Sequence, residues 1–229
     1  VLQSYAYNKQ VDRLPLFGGS DSKVGDLNKL IADELNIDVE NIYGSDLYLY
    51  NRMEPSIWGI NEEFISCPQL DDLQCAYSSL QGFLKGYNAK SINVYVCFDN
   101  EEVGSGTKQG AGSTFLQDVL KRVNSALSKS DEEYYRALAS SFMLSADNAH
   151  AVHPNHPSKT DVNNCVYINE GVVVKSHAGQ KYTSDAVSIA VFKGLCKNAN
   201  VPVQFFANRS DVVGGSTLGN IAMAQVSMN

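Results

Sequence analysis

A chain of 229 residues with 44% hydrophobic and 19% charged side chains is long enough to bury a sizeable core and reads as globular. Its formal net charge of -7 argues against nucleic acid or an anionic membrane surface as a partner, because both reward basic patches. No apolar run reaches the ~18 residues that a membrane-spanning helix needs.

Residues 1–20 mix polar and aromatic side chains and run into the turn G-G-S-D, a lead-in. Ser22 precedes a predicted helix whose Val24, Leu27, Leu30, Ile31 and Leu35 recur at helical spacing. Residues 42–50, I-Y-G-S-D-L-Y-L-Y, alternate and predict a strand, followed by a loop with Pro55 and Gly59 around the single Trp58. From Phe64 the texture becomes α/β. Asp71 and Asp72 open a helix with Leu73, Tyr77, Leu80, Phe83 and Leu84 on one face, and taken alone that acid pair suits a helix cap and its dipole. Residues 91–98, S-I-N-V-Y-V-C-F, predict a strand buried on both faces. Helices are expected from Ser113 and from Ser130, and a strand over 141–146 that ends at Asp147. The irregular stretch 147–161 carries His150, His153 and His156, stiffened by Pro154 and Pro157. Short strands at 165–168 and 172–175 flank a Glu170-Gly171 turn, then come a helix over 184–197, a strand over 201–206 and a Gly-rich turn into a last helix at Ser216. This alternation predicts an α/β fold, a mostly parallel sheet with helices on both faces.

The acids supply the chemistry. Asp99, Asn100, Glu101 and Glu102 directly follow the 91–98 strand, Asp147 follows the next, and Asp71 sits before a helix. In open α/β sheets the carboxyl ends of strands are where ligands bind. Carboxylates side by side raise each other's pKa, so a metal explains their gathering better than a solvated acidic turn does. Adjacent glutamates also allow one to bind metal while the other acts as general base. Asp147, His150 and His153 offer a rival local zinc site, but the prolines break the helix that would stack them. Gly214 and Gly215 before a helix start offer free backbone N–H groups to an anion or oxyanion, or form an ordinary turn. The stretch G-S-G-T-K-Q-G-A-G-S lacks the spacing of a nucleotide-binding loop. The five cysteines, odd in number and without C-x-x-C spacing, read as reduced thiols of a cytosolic protein.

Five ordered motifs, P-Q-L-D-D-L, F-D-N-E-E-V-G-S, S-A-D-N-A-H-A-V-H-P-N-H-P, Q-K-Y-T-S-D-A-V and N-R-S-D-V-V-G-G-S-T-L-G, lie within residues 68–219, and the resemblance they carry covers roughly residues 24–229. They resemble the aspartyl aminopeptidase family of two-zinc metallopeptidases. The resemblance implies that Asp71 bridges two zinc ions, that Glu102 and Asp147 bind one each, and that Glu101 is the general base and acid. It places His150, Gly215, Ser216 and Thr217 at the substrate pocket. Two zinc ions per site are implied, with cobalt or manganese able to substitute. Residues 1–64 would be part of an inserted dimerisation domain and residues 65–229 the peptidase domain, incomplete at both ends. Peptide substrates, a homo-oligomer built from dimers into a dodecamer, and a cytoplasmic location follow from the same resemblance.

Three departures accompany it. Arg is usual where Gln69 stands, acid-preferring members can carry a Lys near the position of Gly179, and the two zinc-binding histidines of the family lie outside residues 1–229. The chain begins without an initiator Met, so it is expected to be a piece of a longer protein. The leading expectation is a zinc aminopeptidase, beside a catalytically incomplete fragment or assembly relative, and an all-carboxylate Mg²⁺ phosphohydrolase.

Overall fold

The helix expected after Ser22 begins at Asp26 in the computed structural model, which describes residues 6–212, 214, 215 and 218–228. The Asp26 carboxylate accepts a 2.7 Å hydrogen bond from the Lys23 N–H, and Gly25 takes the left-handed region at φ 99°. That turn places Val24 outside helix α1 (Asp26–Leu35), where it is fully exposed. Only Ala32 of α1 is buried. Residues 42–50 form no strand, and Tyr43, Leu47, Tyr48, Leu49 and Tyr50 are exposed. Alternation prepares a chain for pairing, but a ladder also needs a second strand, and none pairs here among the described residues. All of this belongs to the first of two compact units, Val1–Glu54; the second is Pro55–Asn229.

In the second unit the Trp58 region is a hairpin and not an open loop. Strands β1 (Ser56–Trp58) and β2 (Phe64–Ser66) pair antiparallel with Trp58 opposite Phe64, their rings 4.7 Å apart. The Trp58 indole N–H donates to Ser66 Oγ at 2.7 Å. Helix α2 (Leu70–Lys85) follows, then α3 (Phe115–Ala126) and α4 (Asp131–Ala139). The start of α4 is fixed by a capping box: Ser130 accepts from the Glu133 N–H while the Glu133 carboxylate accepts from the Ser130 N–H.

Strand β3 (Val172–Ser176) pairs in parallel with β4 (Val203–Ala207), Val172 opposite Val203, with α5 (Ala186–Asn198) as the crossover between them. The short helix α6 (Leu218–Ala222) follows; its expected start at Ser216 lies outside the described residues. Val174, Phe206, Cys196, Leu138 and Val226 are among the buried residues of this unit. The α/β class therefore holds, with a parallel pair crossed over by a helix.

The sheet is smaller than expected. Residues 91–98, 141–146 and 165–168 form no strand, and Ile92, Val94 and Leu144 are more than half exposed. Their β-branched and aromatic content reports a preference for extended backbone, not the presence of a neighbour to bond. Around Tyr167 the substitute partner is a side chain: Gln204 accepts from the Tyr167 N–H at 2.9 Å and donates to its carbonyl at 3.0 Å.

Candidate metal centre

Three separate segments deliver the acids. At the start of α2, Gln69 is left-handed at φ 64°, and Asp71 and Asp72 are joined by a cis peptide bond with non-helical backbone before the regular helix sets in. Glu101 and Glu102 lie in a single 3-10 turn, Glu101–Val103, framed by left-handed Asn100 and Gly104. Asn100 ties this loop shut: its carbonyl accepts from the Ser105 N–H at 2.9 Å and its amide donates to Thr107 Oγ1 at 2.9 Å. Asp147 ends the extended 141–146 segment.

These segments converge. Asp71, Asp72 and Asp147 each bring a carboxylate oxygen within 4.8 Å of the others. Glu101 lies in the same field: its carboxyl is held above the ordinary carboxylate range, first by partial burial and then by Glu102, Asp147, Asp71 and Asp72. Asp72 is raised as well, chiefly by burial and further by Asp147 and Asp71, with Cys75 and Lys175 acting in the opposite sense. Burial and the adjacent acids push the Cys75 thiol up to about 12, so it stays a protonated hydrogen-bond donor. It donates to Asn148 Oδ1 at 2.8 Å.

One cation answers these acids. Lys175, on β3, has only 14% of its side chain exposed and forms an ion pair with Asp147. Its Nζ lies 5.8 Å from the centre of the Tyr182 ring, and the Tyr182 ring stands edge-on to His177 at 6.0 Å. His177 in turn backs the Gly-rich turn: a Cβ on Gly214 would fall 2.2 Å from Asn208 Nδ2 and 3.1 Å from His177 Nε2. The turn therefore sits against His177 and Asn208 only because residue 214 has no side chain.

The donor set suits a divalent cation. Asp72 Oδ1 is buried without a hydrogen-bond partner, and the carboxylates of Asp71, Asp72 and Asp147 gather where Lys175 pairs with only one of them, Asp147. Burying the Asp72 oxygen is costly unless positive charge compensates. The donors are all oxygen, which hard cations accept readily and which zinc accepts alongside nitrogen. No histidine joins the metal-capable grouping among the described residues. His150 is exposed, and His153 Nδ1 is engaged by the Asn155 N–H at 3.2 Å, so the rival site of Asp147, His150 and His153 is not assembled. Gly215 is exposed, and Ser216 and Thr217 lie outside the described residues.

Residues 8–229 match the family described as aminopeptidase I zinc metalloprotease (M18). The chain belongs to this family. It is similar to a probable M18 family aminopeptidase 2 of Clostridium novyi, 47% identical over 231 residues, covering 100% of this chain and 53% of that relative. Aspartyl aminopeptidase 1 of Schizosaccharomyces pombe is 34% identical over 250 residues, covering 98% of this chain and 53% of its own length. The solved structure of the S. cerevisiae mApe1 dodecamer superposes with a TM-score of 0.73 at 26% identity, over 89% of this chain and 46% of that one. The chain thus spans about half the length of the curated relatives it matches. All three acid-bearing segments fall inside the part that matches the M18 family.

Four members of the site escape a reading of the M18 motifs alone. Asp72 is masked by the equally good reading as a helix-start acid. Lys175 had a visible signal, a charge closing the apolar run V-V-V-K, where a buried lysine requires an acidic partner. Asn148 and His177 carry none, because their roles come from contacts with residues distant in sequence.

Proposed function

We propose that the protein is a metal-dependent aminopeptidase that hydrolyses N-terminal residues from peptides, with Glu101 as general base and acid. The observation that supports this is the gathering of Asp71, Asp72 and Asp147 from two chain segments, with Glu101 of a third in their electrostatic field. Asp71, Glu102 and Asp147 are the residues that would hold the metal, read as two zinc ions, with cobalt or manganese as substitutes. A divalent cation so held supplies Lewis acidity, polarising the peptide carbonyl and making water a stronger acid.

The remaining steps fall to this chain's own groups. A carboxylate oxygen of Glu101 takes the proton of the attacking water and passes it to the departing amide nitrogen. Partial burial, the largest cause that raises its carboxyl, suits both halves of that transfer, since a base nearer neutrality is also a competent acid. The similarity to an aspartyl aminopeptidase supports a preference for N-terminal Asp or Glu. His150 and the Gly215 to Thr217 turn are assigned to the substrate pocket.

A homo-oligomer built from dimers fits the dodecameric relative and the exposed apolar residues of the first unit, which we assign with the residues up to 64 to a dimerisation domain. A cytoplasmic location agrees with five free cysteines. A narrower reading applies to residues 1–229 by themselves: with only oxygen donors gathered, this stretch is catalytically incomplete.

The test is metal-stripped full-length protein supplied with zinc or cobalt and assayed for release of the first residue from dipeptides. Metal-dependent release, faster for N-terminal Asp or Glu than for Leu, is the expected result. Phosphomonoester cleavage with Mg²⁺ and no peptide cleavage would overturn the reading in favour of a phosphohydrolase.

A further inference from the structure

The acids of the site come from segments with no backbone hydrogen bonding between them, so something else must set their separation. Asp71 and Asp72 belong to the start of α2, whereas Asp147 ends an extended segment that pairs with no strand among the described residues. Asn148, next to Asp147, makes the connection with every polar arm it has except its own N–H. Its amide Nδ2 donates to Gln74 Oε1 at 3.0 Å, and its Oδ1 accepts from Cys75 Sγ at 2.8 Å, bonds that bridge 74 and 73 residues of sequence. Its backbone carbonyl accepts from Lys175 Nζ, which also pairs with Asp147.

The geometry of those bonds matters more than their number. Gln74 and Cys75 lie at the start of the regular part of α2, just after the non-helical Asp71 and Asp72, so a bond to them fixes the approach to that end of the helix. A planar amide held at both its donor and its acceptor cannot rotate without breaking one bond, so the residue before it is held in direction as well as in distance. An alternative role, filling space between two segments, would not require both arms of the amide to be engaged.

We propose that Asn148 is a positioning residue of the metal centre: it clamps the Asp147 segment to the start of α2 so that the carboxylates of Asp71 and Asp147 stay gathered there. This rests on the metal-centre reading above and adds to it a residue that binds neither metal nor substrate. Supporting partners of this kind typically change metal affinity by about 10- to 100-fold when removed.

The test is a double-mutant cycle in the full-length protein, read as manganese and zinc affinity by competition with a chromophoric chelator. Asn148→Leu keeps the branched side-chain shape and heavy-atom count and removes both polar arms. It should weaken metal binding about 10- to 100-fold while leaving the melting temperature of the metal-free protein within a few degrees. Gln74→Leu should weaken it in the same direction, and the double variant should bind no more weakly than Asn148→Leu, because the shared bond is already gone. Should Asn148→Leu fail to fold, Gln74→Leu alone carries the test, with loss of affinity at unchanged stability expected. Wild-type affinity in the variant that folds, or fully additive losses in the double variant, would overturn the clamp. Asp147→Asn serves as the reference: if wild-type protein takes up no metal, or Asp147→Asn takes it up as tightly, the metal-centre reading fails, which is a different failure.

Discussion

The Nζ of Lys175 donates both to the Asp147 carboxylate and to the Asn148 carbonyl, so one ammonium from β3 closes the end of an acid-bearing segment that has no strand partner among the described residues. That places positive charge beside Asp72, on which Asp147 and Asp71 act with negative charge. Removing one member of a sequestered ion pair strands the other. Lys175→Met should therefore lower the stability of metal-free protein by about 1–3 kcal/mol, below the range for a fully buried pair because Asp147 keeps contact with water. A divalent cation would restore the missing charge, so thermal unfolding of both proteins with and without manganese is the measurement. The deficit of the variant should shrink when metal is added.

Glu101 and Glu102 are neighbours in one turn, yet the two are assigned different work. Glu101→Gln in the full-length enzyme should keep metal and fold but lose at least ~100-fold in turnover, since removing a general base typically forfeits 10²- to 10⁴-fold. Glu102→Gln should instead lose metal. Metal content measured beside turnover decides the matter, and an emptied Glu101→Gln with a fully loaded Glu102→Gln would reverse the two roles.

How far the sequence reveals this arrangement depends on the range of the forces involved. Helices α2 to α5 are legible because their apolar spacing and their Ser130 and Asp185 caps are local features. The 91–98 and 141–146 segments are misjudged as strands because pairing is a property of two segments, and the sequence of one does not report on the other. Within the site, Glu101, Glu102 and Asp147 stand out because each follows an extended apolar run, a placement that local pattern can show. Asp72 is recognisable only once Asp147 is seen beside it.

The α4 capping box provides a pH-dependent readout remote from the metal centre. Glu133 has its carboxyl lowered from 4.5 to about 2 by the Ser130 backbone N–H, by Lys129 and by the Ser130 hydroxyl. A depressed carboxylate contributes stability that is present above its unfolded pKa and lost as pH falls through its folded one. Wild-type protein should thus melt higher than Glu133→Ala at neutral pH, with the gap intact down to about 4.5 and closing towards pH 2. A gap that stays constant across that window would mean that Glu133 acts through helix propensity and not through its charge.

The last expectation concerns residues 1–229 taken alone. A two-zinc site needs roughly three or four protein ligands per ion, and zinc favours nitrogen or sulfur donors beside carboxylates. The grouping assembled here offers oxygen only, and the four histidines of the chain stand apart from it. Losing a direct ligand weakens binding more than losing a supporting partner, which already costs about 10- to 100-fold. The 229-residue chain, equilibrated with zinc and passed through gel filtration, should therefore retain little metal and release nothing from dipeptides. The competing arrangement of Asp147, His150 and His153 requires the opposite, because all its ligands lie within this stretch. Its histidines would have to turn inward from exposed positions, and His153 Nδ1 would have to give up the Asn155 N–H unless it coordinated through Nε2. One tightly held zinc per chain, lost on His153→Ala and unaffected by Glu102→Gln, would sink the assignment of Asp71, Glu102 and Asp147 as the ligands.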